Sequence, residues 1–169
     1  MIKLGKIKSA STNKGFTLLE VIVAIFILTV GIGSAFILIS QTLSAASLVR
    51  ERLIASYLVQ EGIEIVRNLR DKAWLEDITW DSYLPAGDYQ ADYLSQSLVP
   101  YDPNAVLKID SNGFYNYLSG NPTIYARKIT IEKPEESTST LRVSAEVFWQ
   151  ERGRPHSIKA REELRDWKP

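Results

Sequence analysis

A long apolar run close to the start of the chain limits what the protein can fold into. Between residues 16 and 39 the sequence is apolar at all but four positions, Thr17, Glu20, Thr29 and Ser34. About twenty apolar residues in a helix are enough to cross the hydrocarbon core of a bilayer. The run therefore predicts a single-pass membrane helix, which we assign to residues 16–40.

The segment before the apolar run is basic. Residues 1–15 contain no acidic residue and four lysines, Lys3, Lys6, Lys8 and Lys14. Positive charge beside a membrane helix stays on the cytoplasmic side. We therefore expect a protein of the cytoplasmic (inner) membrane with its N-terminus in the cytoplasm and its C-terminal domain outside.

Glu20 is the only charged residue of the apolar run. Even on mild insertion scales, an acidic side chain inside a membrane helix costs about 2.5–3.5 kcal/mol. A residue this unfavourable indicates a function, and we expect its carboxylate to have a partner.

The stretch from Lys14 to Glu20, K-G-F-T-L-L-E, resembles the cleavage and methylation motif of type IV prepilins and of type II secretion pseudopilins. In that family a glycine is followed by phenylalanine, a short pair, leucine and glutamate, and then a long apolar segment. The resemblance implies that residues 1–15 are a leader peptide and that a prepilin peptidase cleaves between Gly15 and Phe16. It also implies N-methylation of the new Phe16 amine.

The same resemblance implies a function and its partners. The chain would be a structural subunit, a minor pilin or pseudopilin, of a type IV pilus-like or type II secretion pseudopilus filament. Besides the peptidase and the lipid bilayer, its partners would be other pilin or pseudopilin subunits, an inner-membrane platform protein and a motor ATPase. After assembly it would lie in the pilus or pseudopilus.

Glu20 then has a candidate role in the register of assembly. After cleavage, the Phe16 amine would be a positive charge at the cytoplasmic edge of the helix, and the Glu20 carboxylate of a neighbouring subunit could pair with it. Buried ion pairs serve specificity more surely than stability. Our hypothesis is that this pair selects one axial position between subunits.

Two other interpretations of the N-terminal segment have to be weighed. A secretory signal peptide also has a basic start, an apolar core and a small-residue site, here residues 44–46, but its core is only about 7–15 residues long. The other interpretation is an ordinary membrane anchor in which the acidic residue has no function. The Gly15–Phe16 pair directly before the run weighs against both.

Two other functional classes also remain. A membrane-anchored surface adhesin or binding module would use the same anchor without entering a fibre. A tethered enzyme is the third class, but the sequence has no recognisable nucleophile set, carboxylate pair or phosphate-binding glycine loop. We therefore predict no catalytic residue, no metal ligand and no cofactor.

Charge and cysteine content bear on further classes of function. The 20 basic and 20 acidic residues give a formal net charge of zero, so no basic field supports nucleic acid as a ligand. Cysteine is absent, which excludes disulfides and thiol chemistry. Many pilins close a C-terminal loop with a disulfide. This chain lacks that feature, which disfavours a major pilin.

We expect residues 41–169 to form one extracytoplasmic globular domain that begins with an amphipathic helix over residues 41–71. Its apolar side comprises Leu58, Gly62, Ile65, Val66 and Leu69, and its outer side Gln60, Glu64, Arg67 and Asp71. This spacing is typical of a helix with one buried face. No proline precedes Pro85, so nothing interrupts the helix. Arg67 can pair with Glu64 and with Asp71 along the outer side.

Residues 125–169 follow the two-residue period of β-strands. The predicted strands are 125–132, 141–150 and 157–164, with turns at 133–137 and 152–156. In the second strand the alternate residues Leu141, Val143, Ala145, Val147 and Trp149 are apolar. The prediction is an α+β fold in which the long helix packs across an antiparallel sheet of three to four strands, an arrangement that the pilin resemblance also implies.

Residues 72–124 are predicted to be a variable loop region with short strands. Val106–Ile109 and Phe114–Tyr117 flank a turn-like D-S-N-G sequence and are expected to form a hairpin. If the protein has its own binding specificity, it would lie here and in the 133–140 loop.

Three further features have mainly structural interpretations. Asp102, Asp110 and Asn112 carry oxygen atoms that calcium prefers, but the spacing of an EF-hand loop is missing, so we expect polar turns. His156, the only histidine, is expected on the surface in a turn. The tyrosines and tryptophans are expected mainly in the core rather than in a sugar-binding patch.

Overall fold

The computed structural model describes residues 15–134 and 139–166. The predicted leader before residue 15 and most of the predicted 133–137 turn lie outside the described residues. The described residues form one helix and eight strands: α1 Leu18–Leu75, β1 Gly87–Gln90, β2 Val99–Pro100, β3 Lys108–Ile109, β4 Tyr115–Asn116, β5 Asn121–Pro122, β6 Ala126–Glu132, β7 Thr140–Glu151 and β8 Arg154–Arg165. The chain divides into two units between Ala45 and Ala46.

Helix α1 continues four residues beyond the predicted end at residue 71. It stops in a Schellman motif, in which the Ile78 amide donates to the Ala73 carbonyl at 3.1 Å and the Asp77 amide donates to the Trp74 carbonyl at 3.4 Å. Asp77 has a φ of 53°, the left-handed conformation that such a cap needs and that glycine usually supplies. With aspartate at this position, the sequence carried no clear stop signal.

The main sheet has five strands in the order β2-β1-β6-β7-β8, and each pair of neighbours is antiparallel. Its last three strands are the predicted meander, which is confirmed. β1 and β2 extend the sheet beyond the predicted three to four strands. They contain four and two residues, which is too short for a two-residue period to be recognised.

A second, smaller sheet contains three strands in the order β4-β3-β5. Ile109 pairs with Tyr115 across the first two strands in sequence, so the predicted hairpin over residues 106–117 is confirmed. β5 pairs with the other side of β3 and was not predicted.

The turn between β7 and β8 uses only Arg152 and Gly153. Both have positive φ, 49° and 76°, which is typical of the two-residue type I′ turn that suits the twist of an antiparallel hairpin. Because the turn is so short, β8 begins at Arg154 rather than at residue 157. The expectation that His156 lies in a turn was therefore wrong. His156 is a strand residue opposite Trp149, and their rings stack with centroids 5.4 Å apart.

The core lies between the second half of α1 and the main sheet. All five apolar residues predicted to face one side of β7 are buried, as are the five on the predicted inner side of the helix. Burial of aliphatic side chains on both elements is the main contribution to the stability of such a layer. The α+β architecture predicted from the sequence is confirmed.

Arg67 was expected to lie on the outer side of the helix, but it reaches the sheet. Its Nη2 lies 2.7 Å from Glu162 Oε1 on β8, and its Nη1 lies 3.1 Å from Glu64 Oε2. The hydrogen bond that Arg67 donates to Glu162 raises the pKa of the Arg67 guanidinium. Arg67 does not pair with Asp71, which lies 2.8 Å from Arg70. Glu162 is available because it lies opposite the buried Val143, on the face of the sheet that packs against the helix.

Candidate processing and assembly segment

The predicted cleavage point lies just outside the helix. Gly15, Phe16 and Thr17 are non-helical and exposed, and Phe16 is 81% exposed. The Glu20 amide donates to Thr17 Oγ1 at 3.3 Å, and the Val21 amide donates to the Thr17 carbonyl at 3.2 Å. Thr17 is therefore the N-cap of α1.

Glu20 lies in the first turn of α1. A carboxylate at this position interacts favourably with the positive end of the helix dipole, and threonine followed three residues later by glutamate is the spacing of a capping box. Among the described residues, the Glu20 side chain has no hydrogen-bond or ion-pair partner. Sequence reasoning assigned a role to Glu20 but missed Thr17, although the Thr-x-x-Glu spacing was visible.

The hydroxyl groups inside the apolar run form hydrogen bonds within the helix. Thr29 Oγ1 donates to the carbonyl of Ile25 at 3.0 Å and to that of Phe26 at 2.9 Å, and Ser34 Oγ donates to the Gly31 carbonyl at 3.0 Å. By length and composition α1 can cross a membrane, and its most apolar 18-residue window has no buried residue. Such a surface suits lipid or other helices better than water.

A buried arginine joins the helix, the sheet and the loop region. Arg127 on β6 is 0% exposed. Its Nη1 donates to the Leu58 carbonyl at 2.9 Å and to Glu61 Oε2 at 2.6 Å, and its Nη2 donates to the Ala91 carbonyl. Because a buried charge is stable only when it is paired and hydrogen-bonded, these contacts fix the position of α1 on the sheet.

Gly62 allows the close approach that brings Arg127 and the helix together. A Cβ at this position would lie 3.0 Å from Ala145 Cβ and 3.1 Å from Arg127 Cδ. Sequence analysis placed Gly62 on the inner side of the helix but missed Arg127. The available signal was that Arg127 shares the inward parity of Ile129 and Ile131, with a glutamate beside Gly62 on the facing helix.

Buried polar residues form hydrogen bonds within the loop region that was predicted to be variable. Asp92 is buried; its Oδ2 accepts a hydrogen bond from the Tyr117 amide at 2.8 Å and its Oδ1 accepts from the Leu94 amide at 3.0 Å. Buried Asn116 accepts from the amides of Leu118 and Ser119. These bonds satisfy backbone groups that the short strands leave unpaired.

The oxygen-bearing residues considered for calcium act as turn caps. Asp110 Oδ1 accepts from the amides of Asn112 at 2.8 Å and Phe114 at 3.0 Å, and Asp102 Oδ1 accepts from the Asn104 amide at 2.9 Å. Such side-chain to backbone bonds are usual for aspartate in turns. No cluster of potential metal ligands occurs within residues 15–134 and 139–166.

The aromatic residues divide between core and surface. Trp80, Tyr125 and Trp149 are buried, as the core interpretation expected. Tyr93 and Phe114 are instead 43% and 55% exposed, and their rings pack together with centroids 5.3 Å apart. This exposed pair belongs to the loop region.

The buried Tyr125 hydroxyl should make the stability of the folded domain depend on pH in the alkaline range. Burial raises the pKa of its hydroxyl to about 12, from an ordinary value of 10.0. Between these two values the unfolded chain loses the proton while the folded chain keeps it, so the free energy of unfolding falls as pH rises. We expect a loss of the order of 1–2 kcal/mol between pH 10 and 12 in urea unfolding. Tyr125→Phe should remove this loss.

Tyr57→Phe is the matched control, because Tyr57 is exposed on the same domain. Its stability should fall with pH as steeply as that of the wild-type chain. Equal pH profiles for Tyr125→Phe and Tyr57→Phe would show that Tyr125 does not carry the effect.

Comparison with known proteins gives one family match. Residues 10–36 match the prokaryotic N-terminal methylation motif, a range that includes Gly15, Phe16, Thr17 and Glu20. This match supports a prepilin-type N-terminal segment like that of type IV pilin-like proteins. No curated protein and no solved structure matches the chain.

The matched motif is a substrate signal for prepilin peptidase and for pilin assembly. Together with the apolar first half of α1, it fits a pilin anchored in the inner membrane. The motif points to a structural subunit.

Proposed function

We propose that this pilin-like chain is a minor pilin or pseudopilin. A prepilin peptidase cleaves it between Gly15 and Phe16, the new Phe16 amine is N-methylated, and the mature chain enters a type IV pilus-like or type II secretion pseudopilus filament. The supporting observation is the exposed, non-helical Gly15–Phe16 peptide just before a helix whose first half is almost entirely apolar and unburied. A peptidase and a row of neighbouring helices are the two partners that such a segment fits.

The topology follows from the same proposal. The leader, residues 1–15, remains in the cytoplasm, residues 16–40 lie in the membrane or the filament, and residues 41–169 lie outside. Other pilin-like subunits, the platform protein and the motor ATPase are the proposed partners in assembly. Because N-methylation leaves an amine that can carry positive charge, the mature end can still pair with a carboxylate.

The part of α1 beyond residue 45 also offers a surface for another subunit. Val49, Leu53 and Tyr57 are exposed and recur every four residues, so they lie along one side of the helix. An exposed apolar row of this kind marks an interaction surface more often than a solvated one. It supports incorporation into an assembly.

Within the filament, Glu20 is proposed to pair with the Phe16 amine of a neighbouring subunit. In an apolar environment either charge alone is unfavourable, so the pair favours the axial position in which the two groups meet. The first-turn position of Glu20 supports this, since its carboxylate lies near the end of the helix that carries the amine.

Substitution of Glu20 tests assembly separately from cleavage. Glu20→Ala and Glu20→Gln should be cleaved at the wild-type rate but should enter sheared fibres at least about tenfold less, since a pairing free energy of only about 1.4 kcal/mol changes an equilibrium tenfold. The measurement is the amount of subunit in the fibre fraction relative to the membrane pool. Glu64→Gln, the same change at an exposed position of α1, should assemble normally.

The two variants distinguish pairing from helix capping, because glutamine preserves a capping box but has no charge. If Glu20→Gln entered fibres at the wild-type level while Glu20→Ala did not, capping would explain the effect and the pairing hypothesis would be wrong. Absence of the wild-type chain from fibres would instead contradict the proposed function and favour a membrane-anchored binding module. The exposed Tyr93 and Phe114 pair is the surface such a module would use.

A further inference from the structure

We propose that Thr17 is a positioning residue for cleavage, because its cap keeps the Gly15–Phe16 peptide out of the helix. This inference rests on the proposed function, since it concerns how the processing site is presented. It assigns to Thr17 a role that neither the charge of Glu20 nor the length of the apolar run explains.

The geometry of the first turn carries the inference. Thr17 is non-helical, and its hydroxyl accepts a hydrogen bond from the Glu20 amide at 3.3 Å. The helix therefore begins at Leu18, and the peptide between Gly15 and Phe16 lies two residues before it. A threonine hydroxyl that caps a helix satisfies an amide that would otherwise lack a partner, which favours this start over other starts.

The sequence has few other signals that would hold the start of the helix at this place. No proline precedes Pro85, and Gly15 disfavours a helix only modestly. Asn13 is of a type favoured as an N-cap. In a variant without the Thr17 cap, a helix that started at Asn13 would include the Gly15–Phe16 peptide in its first turn.

A helical peptide bond is a poor substrate for hydrolysis. Its backbone groups are engaged in hydrogen bonds, and a protease acts on the fraction of molecules in which that segment is open. An extended peptide also offers both of its polar groups to the enzyme. If the scissile peptide is already outside the helix before the enzyme binds, no free energy is needed to open a helical turn before cleavage.

The test is the rate at which full-length chain in membranes is converted to the Phe16 form by prepilin peptidase, followed by mass spectrometry. Thr17→Val, which keeps the shape but removes the hydroxyl, should be cleaved at least about twofold and up to about thirtyfold more slowly, the range expected for loss of a cap. Thr17→Ser and Thr17→Asn, which retain a capping oxygen, should be cleaved at close to the wild-type rate.

Thr29→Val is the matched control. It removes a hydroxyl from the same helix, but that hydroxyl donates to the carbonyls of Ile25 and Phe26 and does not cap the helix. Its cleavage rate should equal that of the wild-type chain. Membrane insertion of each variant is checked by resistance to alkaline extraction, so that a failure to insert is not mistaken for slow cleavage.

Each outcome decides between specific alternatives. Slow cleavage of Thr17→Val with recovery in both Ser and Asn variants supports capping. A wild-type rate for Thr17→Val overturns the inference, and so does slow cleavage of Thr17→Asn beside normal Thr17→Ser, because the enzyme would then recognise the hydroxyl directly. If the wild-type chain itself is not cleaved, the proposed function fails instead.

Discussion

Replacing Glu61 by glutamine should lower the free energy of unfolding of the C-terminal domain by about 2–3 kcal/mol. The change leaves the Arg127 guanidinium completely buried without its only carboxylate partner among the described residues. A fully buried pair that loses one partner costs about 3–5 kcal/mol. We expect less here because the Glu61 side chain is 31% exposed, so water partly replaces the lost charge.

The effect of Arg127→Met should be smaller, about 1 kcal/mol, because the charge leaves together with the need to pair it. Methionine fills most of the space of the arginine stem, and Glu61 can turn to solvent. The double variant should therefore be about as stable as Arg127→Met alone. Such non-additivity is expected of two residues that interact directly.

The measurement is urea unfolding of the full-length chain in detergent, followed by tryptophan fluorescence. Glu64→Gln provides the control, because Glu64 is 56% exposed and pairs with Arg67 at the surface. Such pairs contribute about 0–1 kcal/mol. If Glu61→Gln were no more destabilising than Glu64→Gln, or if the effects of the double variant were additive, Arg127 would not depend on Glu61 as the structure indicates.

Gly62→Leu should destabilise the same domain by about 3 kcal/mol or more. Even the first carbon of the new side chain would lie 3.0 Å from Ala145 Cβ and 3.1 Å from Arg127 Cδ. The rest of the leucine would then push α1 away from β7, and the contacts of Arg127 with the helix would lengthen. Urea unfolding measures the loss of stability.

Gly62→Ala and Asn68→Leu are the matched comparisons for Gly62→Leu. Alanine gains about 1 kcal/mol of helix propensity over glycine, which offsets part of its tight contact with Ala145. Asn68 is exposed on the same helix, so leucine there should change stability by no more than about 0.5 kcal/mol. Equal stability of the two leucine variants would mean that the helix does not approach the sheet closely at Gly62.

The elements that could be predicted from the sequence are those in which one face is buried along many residues. β7 alternates so regularly that its buried side was evident, and the buried side of α1 between Leu58 and Leu69 repeats at helical spacing. A one-residue shift would move the whole apolar face of β7 to the other side of the sheet, and it would turn the apolar side of α1 by about 100° away from the sheet. The hairpin around Asp110 was evident from its turn residues.

The features that were missed depend on one residue or on contacts distant in sequence. β2 is two residues long and is defined by its partner β1 rather than by its own composition. The end of α1 depends on Asp77 in a conformation usually associated with glycine. From the sequence alone, Arg127 could be taken for an ordinary surface charge. Its role becomes clear only when β6 is packed against the helix that carries Glu61.

The candidate processing segment shows the same division. Gly15, Phe16 and Glu20 could be proposed as site residues from the sequence, because their order is a recognisable motif. The role proposed for Thr17 was not predicted, because it depends on where the helix begins. A threonine within an apolar run does not by itself mark that position. The start of the helix depends on neighbouring residues, but only the hydrogen bond from the Glu20 amide to the Thr17 hydroxyl identifies Thr17 as the cap.

The N-terminal mass of the membrane-extracted chain, from cells with and without an active prepilin peptidase, tests the central claim most directly. We predict a chain that begins at Phe16 and is one methyl group heavier than its sequence mass, only when the peptidase is active. A chain that begins at Met1 in both cells, or one that begins near Ser47 in both, would contradict the account and would indicate a plain membrane anchor or an ordinary secreted protein, respectively.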